Sequence, residues 1–63
     1  MTEIQKAVLS VLKKNKCVSP ALLQRKFKVP YLSAYKLCVW LTTLDDEKIS
    51  YEEDENSIVV FRK

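Results

Sequence analysis

The chain has no glycine and no histidine among its 63 residues, only two prolines, two cysteines and a single tryptophan. Each absence removes a class of chemistry. Without glycine there is no loop of the kind that cradles phosphates with its backbone amides, and Asn56 becomes the best candidate for a left-handed turn position. Without histidine, a structural zinc site or a Cys-His catalytic pair is all but excluded. Cys17 and Cys38 show no CxxC spacing and are too few for a disulfide framework, so both read as small buried hydrophobes. No apolar run reaches transmembrane length, and no short apolar stretch precedes a small-residue cleavage site. The expected location is therefore cytoplasmic.

What remains is a small chain of mixed apolar and charged composition, long enough for one core and too short for a catalytic domain with a cleft. Its charge is divided. Residues 1–44 carry eight cations against Glu3 alone, a net +7, whereas residues 45–63 carry three cations against seven carboxylates, a net −4. The basic part points to a polyanionic partner. Asp45 and Asp46 are adjacent carboxylates at a helix end and read as a solvated loop rather than a metal or acid–base site. No nucleophile–base arrangement is present. The expectation is a non-enzyme with no cofactor, no metal, no small-molecule substrate and no membrane association.

Apolar periodicity predicts three helices and a hairpin. Thr2 with Gln5 forms a capping box, and Ile4, Ala7, Val8, Val11 and Leu12 make the stripe of the first helix. Lys13, Lys14 and Lys16 fall near its C-terminus, where positive charge complements the helix dipole. Cys17 and Val18 read as one rung of strand. Ser19 followed by Pro20 starts a second, two-turn helix, with Leu22, Leu23 and Phe27 inward and Arg25 and Lys26 outward. Lys28, Val29 and Pro30 form a turn, with Pro30 opening the third helix. Ala34, Leu37, Cys38, Leu41 and Leu44 carry that helix's core stripe. Two alternating runs, residues 48–52 and 57–61, read as strands joined by the polar segment 53–56.

This order of elements resembles a winged helix-turn-helix: mostly α with a small β-hairpin, one domain over 1–63, helix-turn-helix at 19–44 and wing at 48–62. Within it, Leu22-Leu23-Gln24-Arg25-Lys26-Phe27-Lys28-Val29 and Tyr31 resemble the S-L-L-Q-R-[RK]-F-[RK]-[IV]-x-Y run of the gamma domain of the bacterial DNA translocase FtsK. The resemblance spans Ala21 to Leu41. It departs where that family places Asn-Arg and a further arginine on the DNA-facing side, because this chain has Leu32, Ser33 and Lys36 there. The translocase's recognition sequence and motor activity are therefore not implied. At this length the chain also resembles small archaeal, plasmid and viral regulators.

The resemblance implies a sequence-selective double-stranded DNA-binding protein, a transcriptional regulator that would be nucleoid-associated, with helix three in the major groove. Tyr31, Leu32, Ser33, Tyr35 and Lys36 would then lie near bases or backbone, and Ser19, Arg25, Lys26 and Lys28 near phosphates. Lys36 suits guanine O6 and N7, Ser33 either kind of base, and Leu32 or Tyr35 a thymine methyl. Two features point elsewhere. Glu52, Glu53, Asp54 and Glu55 at the hairpin would repel a phosphodiester, so the tip is expected to face away from DNA or toward a basic partner. Tyr35, Val39 and Trp40 lie off the core stripe, and either core packing or an interface with a protein partner or a second copy accounts for them. A protein-interaction module is thus the second expectation, and stacking of single strands on Tyr31 and Tyr35 a more remote third.

Overall fold

A computed structural model describes residues 2–55 and 57–63. Helix α1 spans Glu3–Asn15. Its capping box is reciprocal: the Gln5 amide donates to Thr2 Oγ1 at 3.2 Å, and the Thr2 amide donates to Gln5 Oε1 at 2.9 Å. Val8, Val11 and Leu12 are its buried residues. Ile4 does not join them. It lies in the first turn, before the buried part of the stripe begins, and stays 37% exposed.

The helix ends on Lys16, whose φ of 69° is left-handed and whose amide donates to the Leu12 carbonyl at 2.8 Å. Strand β1, Cys17–Val18, follows at once. Its two side chains point to opposite faces, as in any strand, so Val18 is fully buried while Cys17 is exposed. The expectation of two buried cysteines is therefore corrected to one. Cys38 sits in the core, and burial pushes its thiol up to about 11.

Helix α2, Pro20–Phe27, begins as Ser19 and Pro20 suggest: Ser19 Oγ accepts from the Leu22 amide at 3.3 Å, and Pro20 fills the first turn. It ends on Lys28, again left-handed at φ 56° and bonded to the Gln24 carbonyl at 2.8 Å. Helix α3, Tyr31–Thr42, starts one residue later than the sequence suggests, because Pro30 caps the helix rather than opening it. Pro30 has an extended ψ of 156°, and its carbonyl accepts the first helical bond, from the Ala34 amide at 3.0 Å. The helix also stops short of Leu44. Thr42 and Thr43 donate their hydroxyls to the Val39 and Trp40 carbonyls at 2.6 and 2.7 Å, satisfying acceptors at the helix end. Leu44 packs on the core from the segment beyond.

Asp46 then shapes the entry to the hairpin, its carboxylate accepting from the Lys48 amide at 2.9 Å. Strands β2, Ile49–Glu53, and β3, Ile58–Arg62, each begin and end one residue later than the expected runs. Asp54 and Ser57 close the connection through two bonds, including Ser57 N–H to Asp54 Oδ1 at 3.1 Å. The left-handed position expected at Asn56 lies outside the described residues.

The sheet is antiparallel with order β1-β3-β2, so the last strand in sequence is central. Val18 faces Val60 in the ladder, and Ile58 and Val60 point inward with Leu12, Leu23, Ala34, Cys38 and Leu41. Three helices against a small antiparallel sheet make an α+β arrangement compatible with a winged helix.

Two left-handed residues in a chain without glycine carry a measurable cost. The αL conformation disfavours a side chain by about 1–2 kcal/mol, offset by about 0.4–1 kcal/mol of extra unfolded-chain freedom when glycine is introduced. Lys28→Gly is expected to stabilise the fold by roughly 0.5–1 kcal/mol. Urea or thermal unfolding measures this directly; a loss of stability would contradict the cap assignment.

Candidate nucleic-acid interface

The surface of α3 follows from what its opposite side buries. At 100° per residue, Ala34, Cys38 and Leu41 fall on one face, and all three are inaccessible to solvent. Leu32, Lys36 and Val39 fall opposite. Leu32 is 64% exposed, Tyr31 44% and Val39 38%, and Ser33 and Lys36 are exposed beside them. The outward face of α3 is thus largely apolar, with one cation.

The remaining sequence-derived positions separate into two groups. Arg25, Lys26 and Lys28 are exposed on α2 and on the turn that leads into α3. Ser19 is half-buried, and its hydroxyl oxygen accepts the capping bond of α2. Trp40 is half-buried and packs against the core, the first of the two expected accounts, which leaves Val39 as the exposed member of that pair.

Tyr35 links the helix to the hairpin. Its ring lies 6.2 Å from that of Tyr31 at an interplanar angle of 32°, a tilted aromatic pair. Its hydroxyl donates to Glu53 Oε2 at 3.4 Å, a long and weak contact. The acidic strand therefore meets α3 at this point. The cause is register: Glu53 pairs with Ile58, whose side chain is buried, so Glu53 shares the sheet face that packs on the helices. Tyr51, opposite Val60, shares that face and is also exposed. Alternation in the sequence carried this signal, since Tyr51 and Glu53 are two residues apart.

The shallow depression of the hairpin is lined by Glu52, Glu53, Asp54, Ser57 and Val59 and is acidic. Among the described residues, no group of three His, Cys, Asp or Glu is arranged to hold a metal ion. No described helix is long and apolar enough to cross a membrane.

No family model, curated protein or solved structure matches this chain.

Partial burial raises the Tyr35 pKa above its ordinary 10.0, and the Glu53 carboxylate raises it further. A raised tyrosine pKa stabilises the fold below the unfolded value and loses that contribution as pH rises through the folded one. Glu53→Gln is expected to bring Tyr35 part of the way back toward 10.0, with burial holding the remainder. Tyrosine ring shifts followed by NMR between neutral and strongly alkaline pH read this; an unchanged titration would separate Glu53 from Tyr35.

Proposed function

We propose that the chain is a winged-helix protein that binds double-stranded DNA sequence-selectively, with α3 in the major groove, and acts as a transcriptional regulator. One observation carries the reading. The outward face of α3 at Tyr31, Leu32, Ser33 and Lys36 is exposed, and the helix and turn before it present Arg25, Lys26 and Lys28 to solvent. A helix-turn-helix uses its second helix on base edges and its first helix and turn on the backbone. Lys36 would read guanine, Leu32 would meet a thymine methyl, and the three cations would neutralise phosphates.

Glu53 restricts the approach. A carboxylate against Tyr35 repels phosphate on the hairpin side of α3, so the duplex backbone is engaged from the α2 side. The wing contributes repulsion rather than a second grip.

The apolar character of the same face favours a second reading, a protein-interaction surface in which Leu32, Tyr31 and Val39 anchor a partner. A mobility-shift titration with duplex DNA distinguishes the two, because phosphate binding strengthens steeply at low salt. DNA binding predicts that Lys36→Ala lowers discrimination between sequences by about 1–3 kcal/mol per contacted base pair. It predicts that Lys26→Ala weakens all sequences alike and reduces the salt slope by about 1. No shift at low salt, or equal loss of selectivity from both variants, would remove the DNA reading in favour of the second.

A further inference from the structure

Lys13, Lys14 and Lys16 are exposed cations that the proposed DNA surface does not use. The helix dipole accounts for Lys13 and Lys14 in the last turn of α1, but Lys16 sits beyond it, in the left-handed cap. Lys16 marks one corner of the sheet, and Lys13 and Lys14 precede it in the last turn of α1. The Lys16 carbonyl accepts from the Arg62 amide at 2.9 Å, at the end of β3, and the chain then enters the edge strand β1. The acidic run occupies the diagonal corner. Glu53 lies opposite Ile58 at the other end of β3, on the other edge strand, with Glu52 before it and Glu55 two residues beyond it. Arg62 and Ile58 are about 13 Å apart along the strand, and β1 and β2 are about 10 Å apart across it.

Opposite charges held at opposite corners of a rigid sheet cannot meet within one molecule. They can meet between molecules. We propose that the acidic hairpin end of one copy docks on the α1 lysine corner of the next, giving a head-to-tail self-association surface. The two patches are different, so the contact is heterologous: each copy uses one patch on either side, and successive copies extend an open chain rather than close a dimer. Exposed ion pairs are individually weak and are screened by salt. The association therefore belongs to high local concentration and low ionic strength. The inference is independent of DNA binding, since it uses none of the residues assigned to that surface.

Sedimentation equilibrium at millimolar protein tests it. At about 0.05 M salt, where screening extends beyond 10 Å, the average mass is expected to climb above the 7.4 kDa monomer without levelling at a dimer. At about 0.5 M salt it falls back to monomer. Lys13→Glu/Lys14→Glu and Glu52→Lys/Glu55→Lys are each expected to remain monomeric alone, while an equimolar mixture recovers association. Amide shifts on dilution of the wild-type protein should be confined to residues 13–17 and 52–55. A monomer throughout, a closed dimer that survives high salt, or shifts centred on α3 would each overturn the proposal.

Discussion

The inward commitment of Ala34, Cys38 and Leu41 determines most of what this molecule presents to its surroundings. These three side chains lock α3 against Leu12, Leu23, Ile58 and Val60 with no accessible surface remaining. Once that face is buried, helical geometry leaves Leu32, Lys36 and Val39 no alternative to solvent. Among the described residues, none covers them. The identity of the exposed face is therefore a consequence of core packing, and its apolar composition is a property that packing alone does not require.

The same core explains the sheet. Val18, Ile58 and Val60 supply its strand side, and a two-residue β1 is enough because only Val18 needs to reach inward. The inward face of β3 sets the phase of β2, and that phase brings Glu53 to Tyr35 and leaves Tyr51 exposed. A hairpin whose acidic side chains are placed by register, rather than by loop chance, imposes a charge on one side of α3. The cations on α2 and on the turn supply the opposite charge on the chain leading into it. Sidedness of charge around a partly apolar helix is the physical basis of both functional readings.

Much of this was legible in the residues themselves, and the failures are instructive. Thr2 with Gln5, and Ser19 with Pro20, marked helix starts because capping is local chemistry written in adjacent residues. The inward stripes of α1 and α3 followed from periodicity. The left-handed caps at Lys16 and Lys28 did not, because lysine carries no preference for that conformation and no glycine announced it. Cys17 was misplaced because a two-residue strand offers no alternation to reveal its phase. The hairpin strands came out one residue early because alternation defines which residues share a face but not where pairing stops. Tyr35 to Glu53 joins residues far apart in sequence, and only the fold relates them.

The central claim is that α3 and the preceding turn form the DNA surface while the hairpin stands outside it. An amide NMR titration of the protein with duplex DNA at low salt tests it residue by residue. The account predicts perturbations concentrated at residues 25–28 and 31–36, with residues 52–55 little affected. Perturbations centred on the hairpin, or none on α3, would contradict it.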